Sequence, residues 1–221
     1  MTDKKTTQPK VEQDALGIQR LVPSQKRSRE RYELILATAA GIIAEKGSES
    51  FKMSDIVERA GVPHGSLYQY FADKVAIIGT LAERSNLEGR ACVEAELANV
   101  SNQKELHSAL LRITDGYYQM FVNEPLMKDI WHATQSDRKL QKLDSDDMNA
   151  LAGILAKVIQ RLKPEYDAHQ ILITSSLIMH LIAAAVRHAI SIEAEDGEMT
   201  LDAFKRILPR NISPLLTGDN N

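Results

Sequence analysis

Between Gly61 and Lys74 the chain reads GVPHGSLYQYFADK. His64, Ser66, Tyr68, Gln69, Tyr70 and Lys74 put an imidazole, hydroxyls, an amide and an ammonium within a few turns of chain, while only Leu67 and Phe71 are spaced as core residues. Imidazole and amide groups read base edges, and hydroxyl and ammonium groups hold phosphate oxygens. The alternative is that the two tyrosines are half-buried core aromatics. Elsewhere, enzymatic constellations are missing: the sequence has no glycine-rich phosphate loop, nucleophile elbow or HExxH pair. No catalytic residue is assigned and no enzymatic activity is expected.

Groups of this kind act only if the surrounding elements hold them outward. From Arg29 the apolar residues recur with helical period and no strand-like alternation. The first helix, RERYELILATAAGIIAEKG, carries a stripe of Ile35, Ala39, Ile42 and Ile43 and stops at Gly47. SDIVERA forms a short second helix with Ile56, Val57 and Ala60 on one side. Gly61 suits a left-handed turn, Val62 plugs the corner, and Pro63 opens a third helix. Two short helices meeting at AGVP have the form of a helix-turn-helix, whose second helix presents its leading residues to the major groove. A fourth helix starts near Asp73, a plausible N-cap, and runs towards Val100. Further helices are expected over about 103–123, 125–135, 138–162, 167–194 and 199–208.

The stretch from Arg31 to Ile78 resembles the DNA-binding domain of the tetracycline-repressor (TetR) family of bacterial transcription regulators. ILATAAGIIAEKG, DIVERAGV and GSLYQYFADK stand in that family's order and spacing. The resemblance implies an all-α chain with an N-terminal three-helix helix-turn-helix domain and a C-terminal helical ligand-binding and dimerisation domain. The corresponding boundaries are a flexible arm over 1–27, the DNA-binding domain over 28–75, and the effector-binding and dimerisation domain over 76–217. It implies base contacts from Pro63, His64, Gly65 and Ser66, with Gln69 on the same outer surface. Tyr68, Tyr70 and Lys74 would hold phosphates, and Ser54 lies where the backbone is often touched. Lys52 replaces the usual Thr or Ser cap of the second helix, which leaves that cap in question and puts a lysine within phosphate reach. The implied function is a ligand-responsive repressor that binds a palindromic, double-stranded operator as a dimer. The alternative is a helical protein–protein interaction module that does not bind DNA.

Charge agrees with this division. The chain carries a net −3, but residues 1–75 hold 12 Lys/Arg against 10 Asp/Glu, and residues 76–221 hold 15 against 20. Lys26, Arg27, Arg29 and Arg31 cluster in QKRSRER, either as a solvated helix start or as an arm on phosphates. A single cysteine, Cys92, excludes a disulfide framework, and the scattered histidines lack metal-ligand spacing, so neither metal nor cofactor is expected. The apolar run Leu177–Val186 is read as too short to span a bilayer, and a cytoplasmic location without membrane contact follows.

The body offers two further surfaces. HQILITSSLIMHLIAAAVRHAISI is apolar around much of its circumference, with small residues at Ser175, Ser176, Ala183, Ala184 and Ala185 that permit close helix approach. It is expected to form a homodimer with the final helix. GYYQMFVNEPLMKDIWHATQ gathers Tyr117, Met120, Phe121, Trp131, His132 and Gln135, a set suited to an apolar cavity for a small effector with one polar or acidic end. His180 joins the ligand candidates, and Arg187, on the same face, is expected to meet an acid across the dimer or a ligand carboxylate.

Overall fold

The structure is a computed structural model that describes residues 25–216 and the backbone of Val11–Gln13 and Gln19–Leu21. Among the described residues ten helices follow one another: α1 (Lys26–Lys46), α2 (Met53–Ala60), α3 (His64–Tyr70), α4 (Lys74–Leu97), α5 (Gln103–Asn123), α6 (Pro125–Ser136), α7 (Arg138–Leu162), α8 (Ala168–Ala189), α9 (Ala194–Ile207) and α10 (Ser213–Leu216). Most of the arm expected over 1–27 lies outside the described residues. Within it β1 (Val11–Gln13) and β2 (Gln19–Leu21) pair antiparallel, Val11 opposite Leu21, where no strand was expected. Helix α1 begins at Lys26, so Lys26, Arg27, Arg29 and Arg31 sit on its first turns.

The chain divides into two compact units. The first comprises residues 1–84 and 125–143, so it holds α1–α3, the start of α4, and α6 as well. Helix α6 belongs to this unit because it packs on α1. Its core is the α1 stripe (Ile35, Leu36, Ala39, Ile42, Ile43) with Phe51, Ile56, Leu67, Phe71 and Ile77, all at most 1% exposed. Tyr32 stacks on Phe71 at 4.9 Å. Arg84 of α4 pairs with Glu33 of α1 at 2.6 and 2.7 Å, and that hydrogen-bonded guanidinium holds the Glu33 carboxyl below its usual range.

The second unit comprises 85–124 and 144–221. Leu97, Leu106, Leu110, Leu155, Ile159, Ile171, Ile178 and Ile182 anchor its core. Helix α8 ends at Ala189 rather than 194, and α9 starts at Ala194 rather than 199. Gly197 lies inside α9. A Cβ there would stand 2.5 Å from the Ala189 carbonyl oxygen, so only glycine lets the first turn of α9 close onto the end of α8. By length and composition α8 is long and apolar enough to cross a membrane, contrary to the expectation from its shorter apolar run.

Candidate nucleic-acid interface

The reading head is built by three local devices. Gly61 closes α2 in the left-handed conformation (φ +64°, ψ +27°), and its N–H donates to the Val57 carbonyl. Val62 is buried in the corner, and Pro63 in extended conformation turns the chain into α3. Leu67 and Phe71 are fully buried, which fixes the rotation of α3 about its axis. His64, Gly65, Tyr68 and Gln69 are thereby exposed, Ser66 is half-buried, and the His64 and Tyr68 rings lie nearly parallel with centroids 6.4 Å apart. No atom lies within 4 Å of a Cβ built on Gly65. No group packed from elsewhere in the described residues therefore requires a glycine there.

Beside this helix is a solvent-open hollow of about 570 Å³ lined by Glu49, Phe51, Lys52, Tyr68, Asp73 and Lys74, among others. Tyr68 is 51% exposed over it. The Lys74 ammonium donates to the Glu49 carbonyl at 3.4 Å. Ser54 and Lys52 are exposed at the start of α2. The capping question at Lys52 is settled from the opposite direction. The Asp55 carboxylate accepts the Lys52 backbone N–H at 3.2 Å, and this bond, with Lys46 nearby, holds the Asp55 carboxyl below its usual range. The lysine side chain is not needed as a cap. Asp73 caps α4, accepting the Ala76 N–H at 2.8 Å.

Tyr70 corrects the expectation. It is 4% exposed, packs edge-on against Tyr32, and its hydroxyl lies 2.7 Å from the Ser28 hydroxyl. Facing the core side of α3, it ties that helix to the start of α1 rather than presenting an open phosphate ligand.

The effector candidates are divided. Tyr117, Met120 and Phe121 lie on α5 in the second unit, with the Tyr117 and Phe121 rings edge to face at 5.1 Å and Phe121 buried. Trp131, His132 and Gln135 lie on α6 in the first unit, the last two exposed. His180 lies on α8, away from the α5 and α6 candidates in the chain. It is exposed on α8, where Leu172, Ile173, Leu177 and Leu181 are 45–54% exposed, and its Nδ1 lies 2.7 Å from the Ser176 carbonyl. Since a carbonyl only accepts, Nδ1 is the donor in this bond.

Arg187 is the second correction, since it is paired within its own subunit. It donates to Asp144 at 2.9 Å and is hydrogen-bonded to the Tyr117 hydroxyl. Burial pulls its pKa down, but Tyr117 and Asp144 outweigh that and hold it above the usual value. Beside this pair Arg90 of α4 donates to Asp147 of α7. Burial pushes the Asp147 carboxyl from its ordinary 3.8 to about 6, against the pull of Arg90, with Asp144 adding to the rise. Sequence reasoning missed Asp144 and Asp147, because DSDD on a helix reads as a solvated face, and Arg90, whose partner is 57 positions away.

The arrangement in the first unit is that of helix-turn-helix DNA-binding proteins. Residues 35–81 match the model for bacterial regulatory proteins of the tetR family, and residues 104–216 match the tetracyclin repressor-like C-terminal domain. An uncharacterized HTH-type transcriptional regulator, YvdT of Bacillus subtilis, is 43% identical over 58 residues, 26% of this chain and 30% of that protein's length. The fatty acid metabolism regulator protein of the same organism is 25% identical over 141 residues, 61% of this chain and 71% of that one. A crystal structure of the regulator FadR from B. subtilis in complex with stearoyl-CoA superposes with a TM-score of 0.58 at 22% identity, covering 85% of this chain and 98% of the other. The chain belongs to the TetR family of transcription regulators. It is a ligand-responsive, DNA-binding regulator, in a family of regulators rather than enzymes.

Proposed function

We propose that the chain is a dimeric repressor that reads a palindromic, double-stranded operator with α3 and leaves it when a largely apolar effector with an acidic end binds the second unit. The observation that carries the DNA reading is the outer surface of α3, where His64, Gly65 and Gln69 are exposed on a helix fixed by Leu67 and Phe71. Pro63, His64, Gly65, Ser66 and Gln69 face the bases. Tyr68, Lys74, Lys52 and Ser54 hold the backbone phosphates around the hollow. A palindrome needs two such heads one helical turn apart. The exposed apolar face of α8, with Met199 and Ile207 exposed on α9, is the surface that supports pairing with a second copy. The same pairing accounts for the length and apolarity of α8 without a membrane, and DNA as partner puts the protein in the cytoplasm.

The effector class is supported by the apolar set Tyr117, Met120 and Phe121 on α5 and by the likeness to a fatty acid metabolism regulator and to a regulator bound to stearoyl-CoA. Gel retardation of a duplex covering the protein's own upstream region, with and without stearoyl-CoA, tests both halves. Retardation relieved by stearoyl-CoA is expected. A protein that retards no duplex would instead be a helical interaction module that does not bind DNA, and retardation untouched by acyl-CoA would remove the effector class.

A further inference from the structure

Helix α8 turns one side outward along its whole length. Leu172, Ile173, Leu177 and Leu181 are 45–54% exposed on it, while Ile171, Ile178, Ile182 and Val186 are buried on the other side. The exposed positions of α8 include no Asp, Glu, Lys or Arg. Arg187 is half-buried and committed to Asp144 of α7. The titratable groups on the outward side are three imidazoles, His169, His180 and His188. Helix α9 differs, since Glu195, Asp196, Glu198, Asp202 and Arg206 are all exposed on it. An outward face with no permanent charge is unusual for a helix whose outer side is left to water.

A face of this kind is self-complementary. Two-fold pairing lays the same patch against itself, so every fixed charge would meet its own copy. A neutral apolar stripe avoids that repulsion, which makes a second copy of this chain its occupant. Imidazole is neutral or charged according to pH between about 5 and 8. His180 stands between Leu177 and Leu181, and its Nδ1 already donates to the Ser176 carbonyl at 2.7 Å. A second proton would put a charge among the leucines that pairing removes from water, and burial disfavours the charged form.

Nothing within the subunit offsets that charge. Helix α8 packs on α5, α9 and α10, and the last carries no charged residue. Asp115 of α5 and Asp202 of α9 are taken by Lys205, Glu105 by Ser101, and Arg112 by Glu96. His107 of α5 bonds the Pro209 carbonyl, and Lys104 of α5 is exposed, like the other charged groups of α9. Among the described residues none of these is ion-paired with His169, His180 or His188.

We propose that the outward face of α8 is a pH-gated homodimer interface, closed while His180 is neutral and opened when acid charges it. The inference rests on the pairing of two copies proposed above and adds its regulation. The separated copies bind protons that the dimer excludes, so acid favours separation. For an imidazole of ordinary pKa, about 6.5, each one held neutral weakens pairing about tenfold at pH ~5.5. One His180 from each copy gives about a hundredfold.

The test is sedimentation equilibrium of the full-length protein at pH ~7.5 and ~5.5, with circular dichroism at both to confirm folding. The parent is expected to dimerise at pH ~7.5 and to lose about a hundredfold in dimer affinity at pH ~5.5. His180→Leu should keep a tight dimer at both pH values. His180→Lys, with its fixed charge, should be a folded monomer at pH ~7.5. Asp147 also gains a proton in this range, and it does so in parent and variants alike, so their difference isolates the imidazole. A parent whose dimer affinity changes less than threefold overturns the gate and leaves the dimer standing. A pH response that survives in His180→Leu overturns the role of His180. A His180→Lys protein that still dimerises at pH ~7.5 removes α8 from the interface, and a parent monomeric at pH ~7.5 overturns the pairing itself.

Discussion

Asp147→Asn should make the protein more stable at neutral pH and leave it unchanged in acid. The sign follows from which state holds the proton. Below about pH 3.8 Asp147 is protonated folded or unfolded. Between 3.8 and about 6 the folded state keeps the proton that the unfolded chain releases, so stability falls as pH rises through that window. Above about 6 the full penalty of an ionised, mostly buried carboxylate is present. The interval from 3.8 to about 6, at about 1.36 kcal/mol per pKa unit, corresponds to ~3 kcal/mol. The side chain is 13% exposed, so solvent screening trims this figure without cancelling it. Asparagine copies the neutral acid in size and keeps a carbonyl for Arg90. A chain of this length shifts its melting temperature by about 2–4 °C per kcal/mol, so a rise of about 3–10 °C is expected at pH ~7.5. Near pH ~4 the difference should vanish, since both side chains are then neutral. Thermal unfolding of parent and variant across that range is the assay. A variant less stable than the parent at neutral pH, or an equal difference at both pH values, would refute the reasoning.

Other outcomes are read more quickly. Tyr68→Phe should weaken operator binding by about 1 kcal/mol, the value of one hydroxyl–phosphate bond, with unchanged melting temperature; equal affinity for all DNA would remove Tyr68 from the interface. Gly65→Ala should fold like the parent, because the space above it is empty, yet lose operator affinity in anisotropy. Leu177→Glu, at a position 54% exposed on α8, should give a monomer by light scattering, and an unchanged dimer would move the interface elsewhere. Gly197→Ala should lower stability by ~1–3 kcal/mol, because its Cβ would meet the Ala189 carbonyl oxygen at 2.5 Å; an unaffected melting temperature would show that α9 is free to shift.

The parts of the fold that were legible in the sequence are those set by near neighbours along the chain. The α1 stripe, the Gly61 turn and the inward pair Leu67 and Phe71 all express spacings of one to two helical turns. What was not legible depends on residues far apart in sequence. Tyr70 looked like its exposed neighbour Tyr68 because Ser28, which takes its hydroxyl, is 42 positions away. Arg90 and Asp147 are 57 positions apart, and Arg187 and Asp144 are 43 apart, so nothing local marks either as a partner. Residues 195–198 were left between two expected helices because the close approach of Gly197 to the Ala189 carbonyl becomes visible only when α9 is folded back. Lys52 read as a missing cap because the compensating group, Asp55, acts backward along the chain.

The empty space above Gly65 and the exposure of His64 and Gln69 bear on how such a regulator changes its target over evolutionary time. Selection on the fold is exerted through Leu67, Tyr70 and Phe71, whose side chains are at most 4% exposed. On the operator reading proposed above, sequence preference is set at positions 64, 65 and 69, which the protein's own interior does not constrain. The two sets alternate along the same short helix but are mechanically independent. A gene duplicate can therefore drift to a new operator by substitution at 64, 65 and 69 without passing through an unstable intermediate, and a library randomised at those three positions should consist mostly of folded proteins.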